Sequence, residues 1–151
     1  MNHSTATTPD AVRALIGGRL EEALHRAFGV DARVVLVEPR SESHGDLATQ
    51  VAMLCARAVR RPPVEIAGAI LENADLPADI VAGCSVDGPG FINITLAQDY
   101  LDGYAYRLGT GGLRGLLPRP GEGRRALVEY VSSNPTGPLS VGHCRQAVLG
   151  E

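Results

Sequence analysis

Three short stretches of the 151-residue sequence hold side chains whose types and spacing could do chemistry. The first is Leu127 to Arg145 (LVEYVSSNPTGPLSVGHCR), where His143 falls at the expected start of a helix. A helix N-terminus presents unpaired N–H groups and a partial positive charge, so it favours anions. His143 can donate to phosphate oxygens there, and Gly142 leaves room for a nucleotide ring or backbone to approach closely. Read without its neighbours, His143 is an ordinary helix-start histidine. The second stretch is Phe91 and Asn93. An aromatic ring offers a stacking platform and an amide reads base edges; the competing reading puts Phe91 in a core. Alternation decides between them. Phe91 and Asn93 share the strand face opposite Ile92 and Ile94, so burial of the isoleucines predicts that Phe91 and Asn93 face outward. The third stretch holds His44 and Asp46, which look like a catalytic pair. Asp46 is instead expected to cap a helix beginning at Leu47, with His44 bonded in the same turn.

Composition narrows the chemistry. All 14 basic residues are arginine. Without lysine, these residues hold no Walker-type phosphate loop and no Schiff-base nucleophile. The three cysteines, Cys55, Cys84 and Cys144, lack ligand-like spacing and read as reduced thiols of a cytoplasmic protein, with no metal site expected. No apolar run reaches the roughly eighteen residues of a membrane span, and the polar start, Met1 to Asp10, does not read as a secretory signal. The net charge is −3, but it is uneven: +1 over residues 1–62, −7 over 63–106 and +3 over 107–151. A polyanion meets the two ends more readily than the middle.

The elements that position these groups follow from periodicity. Residues 1–9 read as a disordered N-terminus. Thr8 and Pro9 start a helix whose Val12, Leu15, Ile16, Leu20, Leu24 and Phe28 recur at helical spacing until Gly29. Arg33 to Val37 reads as a short buried strand. A second helix carries Leu47, Val51, Leu54 and Cys55 on its apolar face, and a third follows Pro62 and Pro63 with Ile66 and Ile70 inward. Ile80–Val86 and Phe91–Leu96 form a hairpin about Asp87-Gly88-Pro89-Gly90. Gln98–Leu108 is a fourth helix. Residues 10–108 thus make a small α+β domain of helices on a short antiparallel sheet. Residues 109–123, with six glycines and two prolines, read as a linker. From 124 to 151 the pattern is a strand at Ala126–Val131, a loop and a helix start, the opening of a Rossmann-like domain whose remainder is missing. A lone strand leaves unpaired edges, so self-association through residues 126–131 is an open alternative.

The segment from Leu127 closely resembles the first signature of class I aminoacyl-tRNA synthetases, in the arginyl-tRNA synthetase version: a strand, then Ser-x-Asn-Pro-Thr-Gly-Pro-Leu, then His-[Val/Ile]-Gly-His at a helix start. Ser43-His44-Gly45-Asp46-Leu47-Ala48-Thr49 is similar to that family's His-Gly-Asp-Leu-Ala-Thr segment, and Gly88-Pro89-Gly90-Phe91-Ile92-Asn93 to its Gly-Pro-Gly-Phe-Ile-Asn turn. The resemblance spans about residues 10 to 151. It implies an arginine–tRNA ligase with ATP (as Mg-bound substrate), L-arginine and tRNA as partners. It also implies that residues 10–108 lean on the tRNA elbow, with Phe91 and Asn93 as tRNA-binding residues. Gly142 and His143 would then serve ATP, and His143 the catalytic step. Glu129 and Asn134 would contact arginine, a carboxylate suiting a guanidinium or ammonium group and an amide the α-groups.

One position departs from the family's pattern: Ser140 stands where the signature has its first histidine. A hydroxyl is shorter than imidazole and never becomes a cation, and losing one transition-state donor typically lowers a rate by about 10²–10³. The second class I signature, a lysine-bearing loop, has no counterpart in a lysine-free sequence. Three readings remain at this point: the N-terminal piece of an arginine–tRNA ligase, inactive alone, a stand-alone module that binds tRNA without catalysis, or a non-functional relic. On each, residues 110–151 are less well packed than 10–108. Amide hydrogen exchange is expected to be faster across 110–151 than across 10–108; uniformly slow exchange over both contradicts this.

Overall fold

The computed structural model describes residues 8–111 and 137–150 and, between them, residues 123, 125, 127, 129–131 and 133. The chain divides into two compact units, residues 1–117 and 118–151. The predicted disordered stretch lies mostly outside the described residues, but its end does not. Helix α1 (Pro9–Phe28) begins at Pro9, with the Thr8 side chain accepting from the Ala11 N–H and Gly29 closing the helix in the left-handed conformation. Its stripe of Val12, Ile16, Leu20, Ala23 and Leu24 is fully buried.

The expected strand over Arg33–Val37 does not form. Only Val37 pairs, in a single antiparallel bridge with Ala48. One backbone group of this segment is met by α1 instead, Glu21 Oε1 accepting the Val34 N–H at 2.7 Å, and the Arg13 side chain holds that of Glu38 at 2.7 Å. A single 3-10 turn, Glu42–His44, follows. Leu47–Thr49, expected to open a helix, is strand β1, and helix α2 starts only at Val51 (Val51–Val59). Helix α3 (Pro63–Asn73) buries Ile66, Ala67 and Ile70. Strands β2 (Val81–Asp87) and β3 (Phe91–Leu96) form the hairpin, and the antiparallel sheet runs β1-β3-β2. Helix α4 (Gln98–Gly111) enters the stretch read as linker by three residues.

β3 is therefore the central strand. Ile92 and Ile94 are wholly buried with α1, α2 and α3 in one apolar core that also takes Leu47, Ile80 and Cys55. Three helices on one face of a three-stranded antiparallel sheet make this an α+β unit. In the second unit, helix α5 (Val141–Gly150) buries no residue. The strand expected at 126–131 is absent at its described residues, Leu127, Glu129, Tyr130 and Val131. Strand structure requires a hydrogen-bonded neighbour, and none is present among the described residues. No described helix is long and apolar enough to cross a membrane.

The thiols divide by environment. Burial pushes Cys55 and Cys84 above the usual thiol range, whereas Cys144 is exposed. The thiolate is the nucleophile, and a raised pKa leaves less of it near neutral pH. Iodoacetamide at neutral pH is expected to modify the exposed Cys144 first, the partly buried Cys84 more slowly, and the buried Cys55 only after unfolding; peptide mass mapping reads the order, and early labelling of Cys55 would contradict this core.

Candidate functional site

Alternation along β3 puts Phe91 and Asn93 on the face away from the helices, and their environments differ. Phe91 is 39% exposed, but Asn93 is only 6% exposed. The expectation of an outward Asn93 is right in direction and wrong in accessibility. Asn93 sits mid-strand in the central position, flanked by Ala48 of β1 and Ser85 of β2. The segment 37–44, carried by the Val37–Ala48 bridge, walls that face. The result is a cleft of 490 Å³ lined by Val37, Glu38, Pro39, Arg40, His44, Ala48, Asp87, Phe91 and Asn93. It holds an aromatic ring, an amide near the floor, and both signs of charge at the rim.

The turn before β1 builds this cleft. His44 Nε2 lies 3.2 Å from Asp87 Oδ2, and Asp87 Oδ1 accepts the Gly88 N–H at 2.7 Å, so one carboxylate fixes both the 42–44 turn and the hairpin turn leading to Phe91. Gly45 has φ +78°, and a Cβ there would stand 2.6 Å from the Ile94 carbonyl oxygen. Asp46 donates its N–H to Ile94 O at 2.9 Å and accepts the Leu96 N–H on Oδ2 at 2.8 Å. Asp46 therefore does not cap α2, as expected, but continues the pairing of β3 beyond β1. The N-cap position of α2 falls to Gln50, whose side chain makes no capping bond, while Thr49 Oγ1 accepts the Val51 N–H. Gly90, at φ +121°, lies so close to Pro63 that any side chain would collide with it. That contact seats the hairpin turn on the start of α3.

In the second unit the geometry is local. The His143 ring Nδ1 accepts the Ser140 N–H at 3.0 Å and lies 3.2 Å from Ser140 Oγ, while the Ser140 carbonyl accepts from His143 and Cys144. The pair forms half of a capping box, a side chain in the first turn reaching back to the N-cap N–H. With Nδ1 accepting, the neutral ring carries its proton on Nε2, a donor available to an external acceptor. Gly142 follows Ser140 by two residues at the same helix start. Glu129 is exposed, and the Tyr130 ring lies against Gly150. Asn134 falls outside the described residues. Among the described residues no three His, Cys, Asp or Glu groups cluster as metal ligands.

Comparison with known proteins locates this architecture. The model of the arginyl tRNA synthetase N terminal domain matches residues 14–96, from within α1 to the end of β3. The chain belongs to the arginyl-tRNA synthetase family. It is 43% identical over 143 residues to the arginine–tRNA ligase of Gluconobacter oxydans, covering 94% of this chain and 22% of that protein. It is 48% identical over 120 residues to the enzyme of Rhizobium leguminosarum, covering 79% of this chain and 20% of the relative. Among solved structures, the Thermus thermophilus arginyl-tRNA synthetase aligns with a TM-score of 0.55 at 30% identity, over 91% of this chain and 22% of that one. The chain thus spans about a fifth of the length of these family members. The family match ends with β3, so the cleft on the outer face of the sheet lies within it.

Sequence reasoning singled out Phe91 and Asn93 but missed their neighbour Arg40, and it read His44 only within its own turn and not beside them. The signal was present: a histidine-glycine-aspartate turn placed directly before a residue pair that must approach β3. Its mechanical roles separate by burial. Asp46→Ala leaves the part-buried Leu96 N–H without its acceptor and is expected to destabilise by about 1–3 kcal/mol. His44→Ala removes an exposed pair and is expected to cost under about 1 kcal/mol. Urea unfolding of the two variants measures both; the opposite order would contradict these roles.

Proposed function

We propose that this chain forms the tRNA-elbow-binding front part of an arginine–tRNA ligase, which charges tRNA with L-arginine using ATP and releases AMP and pyrophosphate in the cytoplasm. The observation that carries the proposal is the cleft on the free face of the sheet, where the half-exposed Phe91 ring stands beside the recessed Asn93 amide. A ring that stacks and an amide that reads an edge are what single-stranded RNA recognition uses. An unpaired base of the elbow enters the cleft, stacks on Phe91 and meets the Asn93 amide. Arg40 at the rim meets the phosphate.

The signature segment supplies the second half of the proposal. Attack of the arginine carboxylate on the α-phosphate of Mg-bound ATP builds charge on phosphate oxygens, which preorganised donors stabilise. The donors present fit such an anion: His143 Nε2–H, and the unpaired N–H groups at the start of α5, where Gly142 adds no side chain. Ser140 contributes a hydroxyl in place of an imidazole. Glu129 and Asn134 take the arginine substrate. The catalytic step requires partners for this segment beyond those in the chain, since α5 buries nothing. The alternative, a stand-alone module that binds tRNA without catalysis, is favoured by the Ser140 substitution alone.

Two measurements test the proposal. Phe91→Ala is expected to weaken tRNA binding about 10-fold or more, the size of a lost base stack; unchanged affinity in a folded variant contradicts elbow binding at this cleft. The purified 151-residue chain is expected to show no arginine-dependent ATP–pyrophosphate exchange, and measurable exchange contradicts the inactivity of the chain alone.

A further inference from the structure

Phe91 borders two clefts. Besides the one over Asn93, its ring lines a second cleft of 320 Å³ together with Arg33, Val35, Val37, Thr49, Gln50 and Leu54. Six large apolar side chains are exposed between residues 8 and 111, and four of them, Val35, Val37, Leu54 and Phe91, line this one cleft. Exposed apolar surface concentrated in this way marks an interaction site. Two polar side chains around it, Gln50 and Arg33, make no hydrogen bond or ion pair among the described residues. Gln50 is exposed at the N-cap of α2, a position that favours Ser, Thr, Asp or Asn, and its amide makes no capping bond because Thr49 does so. Arg33 is exposed and pairs with no carboxylate among the described residues, and no acidic side chain lines the cleft.

We propose that this second cleft takes a second unpaired nucleotide of the same RNA. Its base lies on Val35, Val37 and Leu54 beside the Phe91 ring, Gln50 reads the base edge, and Arg33 holds the phosphate. The inference rests on the proposed function above, since the first nucleotide is the one at Asn93. The chemistry selects the occupant: an apolar floor accepts a base's flat face, a neutral amide both donates to and accepts from its edge, and a guanidinium meets a phosphate. Val37 and Ala48 also line both clefts, so the two sites are contiguous and suit neighbouring nucleotides of one strand.

The test is tRNA binding by fluorescence anisotropy with Gln50→Ala, Leu54→Gln, Arg33→Gln and Asn93→Ala variants of the full chain. Each is titrated with tRNAs bearing one abasic nucleotide at each unpaired elbow position in turn. Gln50→Ala is expected to weaken binding roughly 3- to 10-fold. That loss should vanish at one abasic position, and the loss from Asn93→Ala at a different one. Arg33→Gln is expected to lower the slope of log affinity against log salt by about 0.7, one single-strand phosphate contact. If Asn93→Ala weakens binding while Gln50→Ala and Leu54→Gln do not, the second nucleotide is overturned and the elbow reading stands. Both losses mapping to one abasic position also overturn it, since the clefts then share a single nucleotide. If Asn93→Ala has no effect either, the elbow reading falls as well. Thermal unfolding confirms that each variant is folded, and Gln50→Glu, which places a carboxylate near the phosphate, supplies a second exposed substitution expected to weaken binding further.

Discussion

The fold depends on the register of one strand. β3 has a neighbour on each edge, and its two faces serve different ends: Ile92 and Ile94 hold the helices, and Phe91 and Asn93 line the cleft. A slip of one residue would exchange the faces, placing an amide in the core and isoleucines in the cleft. Burying two whole isoleucine side chains, each worth about 1.5–3 kcal/mol, makes that exchange prohibitive. The short edge strand β1 adds little by itself. The glycine and aspartate ahead of it, Gly45 by close approach to Ile94 and Asp46 by bonds to Ile94 and Leu96, pin it to β3 over a longer stretch than its three residues.

Much of this could be read in the sequence, for physical reasons that vary by element. α1 was legible because its apolar spacing, Thr8 cap, Pro9 and Gly29 all point the same way. The hairpin was legible because Asp87-Gly88-Pro89-Gly90 permits little else. The stretch from Arg33 to Thr49 was not. Its alternating valines predict a strand, yet the Val34 N–H goes to Glu21, thirteen residues away, and only Val37 meets the sheet. Nothing local announces an acceptor contributed by a helix. Leu47 to Thr49 reads as the start of a helix because Asp46 reads as a cap. That carboxylate's acceptor capacity is used by Leu96, fifty residues on, and local pattern cannot show it. Asn93 was placed on the correct face, but its burial depends on the 37–44 segment, whose path was the part least visible in sequence.

The two units answer different questions about the family signature. In the second unit, Ser140 and His143 satisfy each other at a helix start, so the serine has a structural task there: its N–H and hydroxyl both approach His143 Nδ1. Holding Nδ1 as an acceptor fixes the neutral tautomer that leaves Nε2–H as a donor. The backbone N–H at position 140, which any residue but proline supplies, holds the ring, and the serine adds its hydroxyl at 3.2 Å. The imidazole that the signature has at position 140 is absent, but His143 is held by a defined contact.

Charge resolves why the outer face of the sheet, in a net-acidic protein, suits a polyanion. Between residues 63 and 106 the sequence has acids and no arginine, but several of those acids lie on or just after α3, whose buried stripe packs into the core on the helical side of the sheet. On the opposite face, the acids at the clefts are engaged: Glu38 with Arg13 and Asp87 with His44 and the Gly88 N–H. Arg33 and Arg40 line the two clefts without a carboxylate partner among the described residues. A phosphate approaching the outer face of the sheet therefore meets two guanidinium groups that no carboxylate holds among the described residues. At ordinary ionic strength such fields act over about 8–10 Å, enough to separate two faces of a small domain. The potential at this face is therefore set by which acids are already paired, and the net charge of −3 says little about it.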